Sequence, residues 1–549
     1  MKDNIKITFN DGSVHEYSKG VTYYDISKDC KLDNIVAYKI DNEVFPLDKK
    51  ALFDETIEFI NTNDSIGNKI YKSGLKFLFQ VALEETFPDL HVSFEHSVPR
   101  GMLGEVNGDK ILNESDVALV KKKMREIVSS DDRITKMNLF PKDVIKYYFE
   151  IGEYEKAYNI QNISDKVVSL YKLHDKLNYF YSLMPYSTGV LKHYELVYLG
   201  NNRIIFLFPT VNSNGNVMEY VHYDKIIDAF FNSKKWLNEL HMPYISDLNR
   251  TIGNRKIKNL IESNEIVFNM NISKVVEEII TRREVKFVLI AGPSSSGKTT
   301  TCKRMSSYFE ALGYNTISIS LDDYFLPREE SPKHEDGSYD FECLEALRVD
   351  DFNNDLNNLL AGKEVVIPKY NFFKGAPEDV GEKVRMHNNT IFLIEGLHAI
   401  NNELTDKIDD KYKYKIYLSP FIPINIDKHN YISTLDLRLL RRIVRDNRTR
   451  GYSVIKTMEC WQSVRDGEEK NIFPFIHQAD TIINTALAYE VGVLKTYVEP
   501  LLFSVSVDSK YFEEARRLID FLKPFFPIPG EFVNNDSILR EFIGGMNND

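Results

Sequence analysis

The segment AGPSSSGKTTT, residues 291–301, constrains this chain more than any other. Residues 292–299 satisfy G-x-x-x-x-G-K-[ST], a loop whose glycines let successive backbone N–H groups curl toward one point. The buried-type strand VKFVLIA precedes it. TTCKRMSSYFEALG continues it as a helix, whose N-terminal dipole adds positive potential. A strand, a glycine loop and a helix in this order predict a phosphate cradle. The expected ATP contacts are Gly292, Pro293, Ser294, Ser295, Ser296, Gly297, Lys298, Thr299 and Thr300. Lys298 would reach the β and γ phosphates, and the Thr299 hydroxyl would ligate Mg2+.

From residue 285 onward, strand-like and helix-like stretches alternate, which predicts an α/β fold: a parallel sheet with helices on both faces. Such sheets bind ligands beyond the carboxyl ends of their strands. Asp322 and Asp323 stand there in SISLDDYF, and Glu395 stands there in IFLIEGLHAI. Carboxylates converging on a phosphate loop suit Mg2+ ligation and a base that takes a hydroxyl proton. Taken singly, each acid reads equally well as a helix cap or a solvated loop residue. The segment RLLRRIVRDNRTRG crowds Arg438, Arg441, Arg442, Arg445, Arg448 and Arg450 onto one helix and its end. In an acidic chain this predicts a lid closing over phosphates rather than a solvated basic face.

At 549 residues the chain exceeds one hydrophobic core, so about two to four domains are expected. No apolar run approaches the roughly 20 residues of a membrane span, and the first residues read as strand and turn rather than a signal peptide. The four cysteines, Cys30, Cys302, Cys343 and Cys460, lack paired spacing, which fits a reducing, cytoplasmic setting. A net charge of −12 disfavours broad nucleic-acid binding and leaves open a local contact through the N-terminal half.

Taken together, the loop, SLDDYF, IPKYNF, IEGLHAI and the arginine helix resemble, in that order, the uridine kinase and phosphoribulokinase family over residues 285 to about 490. The resemblance implies an ATP-dependent kinase with Asp322 as general base on an acceptor hydroxyl and Lys298 and Arg445 as further catalytic groups. Glu395 would join Thr299 on Mg2+. Tyr324, Tyr339, Asp340 and Tyr370 would surround the acceptor, with Arg442 on its ribose side. Arg445 and Arg450 would face the phosphates. Three departures weaken uridine as the substrate. Tyr452 replaces a lid arginine, Lys374 and Gly375 occupy the stretch of a base-reading histidine, and Phe341 stands where the family has His. Asp323 stands where the family usually has Ser or another small polar residue.

Residues 1–63 form an expected β-rich module resembling the TGS domain of threonyl-tRNA synthetases. Residues 64–265 are similar to that synthetase's second, editing-type domain, an α+β unit, and 266–549 complete the kinase domain. SGLKFLFQVALEETFP and SLYKLHDKLNYFYSLMPYSTG carry the second likeness. Where the synthetase has metal-binding and editing residues, this chain has Lys72, Lys76, Phe180 and Met184. A protonated lysine repels a cation and Phe has no lone pair, so neither zinc nor editing is expected there. His91, His96, His174 and His193 lack ligand spacing. The tail SILREFIGG reads as a short helix, either docking on the kinase domain or serving homo-oligomerisation. Phosphorylation of a small-molecule substrate, a nucleoside first, accounts for most of these residues. Another small alcohol or sugar phosphate, and an RNA-binding regulatory ATPase, remain open.

Overall fold

In the computed structural model the described residues are 4–545, apart from 99, 164, 214, 222, 334–336, 338 and 372. The chain opens with a five-stranded sheet built from Asn4–Phe9, Val14–Ser18, Ile35–Ile40, Glu43–Phe45 and Glu55–Asn61. Hairpins turn at Asp11-Gly12 and at Asp41-Asn42. A seven-residue helix, Tyr23–Asp29, completes this unit, with Thr22 accepting from the Asp25 amide as N-cap. So short a helix has almost no periodic signal, and the sequence reading passed over it.

The stretch NTNDSIGN, residues 61–68, is partly helical. The helix Ser65–Thr86 starts inside it, because Gly67 lets the helix lie against the backbone of Asn61. A Cβ on Gly67 would sit 1.8 Å from the Asn61 carbonyl oxygen. This helix and Glu114–Ser130 cover a four-stranded antiparallel sheet of His91–Val98, Gly101–Asn107, Glu195–Gly200 and Arg203–Leu207.

The second half is built on five parallel strands: β1 (Phe287–Ala291), β2 (Asn315–Ser320), β3 (Thr390–Glu395), β4 (Lys413–Ser419) and β5 (Thr481–Asn484), in the order β2-β3-β1-β4-β5. Alternation along β1 sends Val288 and Ile290 to one core and Phe287, Leu289 and Ala291 to another, so both faces are covered. The first core takes helix α1 (Lys298–Ala311), α2 (Thr434–Arg450) and the long helix Ile257–Thr281. The division expected at 265/266 falls inside that long helix, whose Leu260, Phe268 and Val276 share a core with Val288 and Phe309.

The second core joins the two halves. Val98, Leu103, Ile205 and Leu207 of the antiparallel sheet pack with Phe392 and Ile394 of β3, bridged by Ile226 and Phe230 of the helix Asp224–Glu239. The segment between β4 and α2 also inserts into the first half. The Phe94 amide donates to the Lys428 carbonyl at 2.8 Å, and Asn159 Nδ2 donates to the Ile426 carbonyl at 2.7 Å. Lys76 donates to the His429 carbonyl at 3.1 Å, and burial pushes its pKa down to about 8. Lys76 lies over the rings of Phe180 and Tyr431, so this position serves the joint between the halves.

Candidate active site

The phosphate loop leaves the carboxyl end of β1 and enters α1. Gly292 permits a close approach, since a Cβ there would lie 2.9 Å from the Leu418 carbonyl oxygen. Gly297 has φ +86°, a left-handed conformation that strains any other L-residue, and a Cβ on it would meet the Ile538 side chain at 2.4 Å. Ser295 also takes a positive φ, 61°.

The loop's shape is held from behind by helix α2. Arg438 Nε donates to the Ser294 carbonyl at 2.9 Å while its other end pairs with Glu468 of helix α3 (Val454–Asn471). Glu468 Oε1 in turn accepts from the Ser294 amide at 2.9 Å. Arg441 donates to Glu490 at 2.6 and 2.8 Å, to the Ser295 carbonyl at 3.2 Å and to the Thr485 carbonyl at 2.8 Å. Arg438 and Arg441 are therefore fixed struts, 1% and 0% exposed, and not parts of a closing lid. Fully paired, buried guanidinia cannot swing without losing those bonds.

Three of the other four arginines face a cavity of about 490 Å3 in front of the loop. Arg442, Arg445 and Arg450 line it, and all three are oriented by one buried carboxylate, Asp446, at 3.2, 2.8 and 3.6 Å. Across from them stand Lys298, Thr299, Asp322 and Glu395. Lys298 Nζ donates to the carbonyls of Gly292 and Pro293 at 2.9 and 3.3 Å. The Thr299 hydroxyl donates to Glu395 at 2.9 Å. A hydroxyl and a carboxylate thus meet at the loop, hard oxygen donors of the kind Mg2+ takes.

Asp322 opens onto the cavity but is set among protein atoms, and that desolvation raises its pKa above the usual carboxylate range against the pull of Lys298. Glu395 is raised for the same reason. Two further groups escaped the sequence reading. Glu342 follows the YDF segment and lines the cavity, with desolvation and then Glu468 pushing it up to about 7. His398, buried in IEGLHAI, is held neutral by desolvation. A carboxylate two residues past an aromatic-Asp pair has no periodic or motif signal.

Not every expected contact reaches the cavity. Tyr324 is 1% exposed and donates to Asp355 at 2.9 Å, so it packs in the core behind the site. Hydrophobic burial of its ring next to Phe352 outweighs any turn toward the cavity. Tyr370, Phe325, Phe341 and Tyr339 form a chain of rings with centroids 5.7 to 6.3 Å apart, of which Phe325 and Phe341 line the cavity. Asp340 accepts from the Glu342 amide at 3.1 Å beside them. Pro293 faces a neighbouring cavity. Thr300 donates to Glu541 at 2.7 Å, and Arg448 donates to the Phe542 carbonyl at 3.2 Å. These bonds settle one alternative for the tail: helix Arg540–Ile543 docks on the loop and α2 within the same chain.

Residues 287–491 match the family described as Phosphoribulokinase / Uridine kinase family. Among curated proteins, the threonine–tRNA ligase of Wolbachia pipientis subsp. Culex pipiens is 27% identical over 195 residues, 35% of this chain and 31% of that one. The threonine–tRNA ligase of Parabacteroides distasonis is 27% identical over 30% of this chain and 26% of that one. This chain therefore spans under a third of the length of those relatives. Among solved structures, a proposed fructose transport system kinase from Silicibacter sp. shares 14% identity at TM-score 0.27, covering 38% of this chain and 98% of that one. A proposed uridine kinase from Bacillus stearothermophilus shares 17% at TM-score 0.25, covering 36% and 89%. Residues 287–491 thus carry a domain of the phosphoribulokinase and uridine kinase family, joined to an N-terminal half similar to threonine–tRNA ligases.

Proposed function

We propose that this protein is an ATP-dependent kinase that phosphorylates the hydroxyl of a small molecule, with a nucleoside 5′-hydroxyl as the acceptor. One observation carries the reading: Lys298, Asp322, Glu395, Arg442, Arg445 and Arg450 line a single cavity in front of the phosphate loop. The loop amides and Lys298 bind the ATP phosphates, Lys298 exchanging its two carbonyl partners for phosphate oxygens. Thr299 and Glu395 would hold Mg2+, which when bound offsets charge on the β and γ phosphates. Asp322 orients the acceptor hydroxyl and takes its proton, and its raised pKa makes it a stronger base than a solvated Asp. Arg442, Arg445 and Arg450 face the charge that spreads over the transferring group, and Asp446 keeps them oriented before substrate arrives.

The aromatic wall made by Phe325 and Phe341, whose rings meet edge to face, and extended by Tyr370 and Tyr339, favours an acceptor with an aromatic ring. We further propose that the units run to residue 63 and from there to the helix Ile257–Thr281, with the kinase part following. The test is ADP release with ATP and Mg2+ over a panel of nucleosides, sugar phosphates and pantothenate-like alcohols. Turnover with a nucleoside supports the full reading. Turnover with a sugar phosphate alone would keep the chemistry and overturn the acceptor.

A further inference from the structure

A second cavity, about 440 Å3, lies where the two halves meet. That volume falls within the range of small-molecule sites. Asp322, Glu395 and Arg445 line the first cavity and not this one, although Glu468 borders both. Its walls come from the N-terminal helix Ser65–Thr86, the antiparallel sheet, the start of α2 and the far side of α3.

Its charge is unbalanced. Lys72, Arg100 and Arg465 line it, and among the described residues none of the three has an ion pair or a hydrogen bond. Lys72 meets only the face of the Phe208 ring, at 4.9 Å. Burial, and to a lesser degree the nearby Arg465, push Lys72 down to about 8. Asp436, the nearest carboxylate influence on Lys72, is already committed to Arg517 at 2.6 and 3.1 Å. Two carboxylates border the cavity: Glu468, which is paired with Arg438, and Glu469. His96, 2% exposed, also lines it, and its Nδ1 has no hydrogen-bond partner while Nε2 meets the Thr434 hydroxyl at 3.2 Å. Phe208, Phe421 and Tyr431 supply flat apolar walls. Like charges kept close without an ion pair of their own are costly, and an anion entering from solvent relieves that cost.

We propose that this cavity is a binding site for a small organic anion, a phosphate ester or a carboxylate carried on a flat apolar ring. The cations take the anionic head and the aromatic walls take the ring. The site is separate from the phosphate-loop cavity and one carboxylate away from it, through Glu468 and its bond to the Ser294 amide.

The experiment is isothermal titration of full-length protein with phenyl phosphate, benzoate and inorganic phosphate, after the loop cavity has been filled with Mg2+ and a non-hydrolysable ATP analogue. The proposal predicts saturable binding of phenyl phosphate or benzoate, with inorganic phosphate weaker. Phenyl phosphate tighter than benzoate identifies a phosphate-ester site, and the reverse identifies a carboxylate site. Lys72→Met and Arg465→Gln should each weaken binding at least about tenfold, as expected for the loss of a charge-assisted bond. Both variants should melt no lower than the parent, because each removes a repulsion. Absence of saturable binding by both ring anions at millimolar concentration overturns the proposal. So does an unchanged affinity in both variants. Should one variant not fold, the other decides.

Discussion

Replacing Glu490 with alanine tests whether the arginine helix is a fixed clamp. Glu490 is 0% exposed and receives Arg441 through two bonds of 2.6 and 2.8 Å, and it also accepts from the Leu487 amide at 2.9 Å. Glu490→Ala strands a guanidinium that is itself 0% exposed. Removing one partner of such a buried pair costs about 3–5 kcal/mol, a large fraction of the stability of a typical domain. Urea unfolding followed by tryptophan fluorescence reads this directly. Trp461 lies 5.3 Å from the Arg438 guanidinium, and Trp236 packs against the same core. The midpoint should fall sharply. Substituting both partners, Arg441→Met with Glu490→Leu, should cost less than the sum of the single changes, because no charge is then left buried. A loss below about 1 kcal/mol for Glu490→Ala would mean that Arg441 can move into water, and the mobile-lid reading would return.

Other expectations are equally specific. Asp322→Asn should lower kcat by about 10²–10⁴-fold while ATP affinity stays within a few-fold; equal losses in both would assign Asp322 to binding. Glu342 has a folded-state pKa raised to about 7 from 4.5, so its stabilising protonation is complete at low pH and is lost as pH rises through 7. Glu342→Gln should therefore be more stable than the parent by about 1–2 kcal/mol at pH 8, with the gap closing toward pH 4.5; a pH-independent difference contradicts this. Ile538→Ala should cost about 2–4 kcal/mol and weaken ATP binding, since Ile538 is 0% exposed and packs over Gly297. Lost stability with unchanged ATP affinity would separate the tail from the loop.

Much of the kinase half was legible because its signals are local. A buried run such as VKFVLIA, a glycine loop and a helical stretch each report on their own backbone, and strand-end acids follow from the topology of parallel sheets. Such signals single out Asp322, Glu395 and Lys298, which line one cavity. What escaped depends on distance in the chain. Nothing near Asp446 indicates that it orients three arginines, and nothing in SILREFIGG indicates that Glu541 reaches Thr300, 241 residues away. The arginines of α2 read alike in sequence, and Arg438, Arg441 and Arg445 share one helix face; position along the axis sets Arg438 and Arg441 behind the loop and Arg445 and Arg450 at the cavity. Tyr324 was placed at the site by its neighbours in SLDDYF, yet the helical turn Leu321–Tyr324 directs its ring into the core.

The most direct test of the account follows the γ-phosphoryl group itself. Full-length protein is incubated with γ-labelled ATP, Mg2+ and a nucleoside mixture, and the fate of the label is read by mass and chromatography. The account predicts label on the 5′-oxygen of a nucleoside, with transfer slowed at least about a hundredfold in Asp322→Asn. Label released only as inorganic phosphate, at a rate indifferent to every acceptor, would contradict it and make the protein an ATPase.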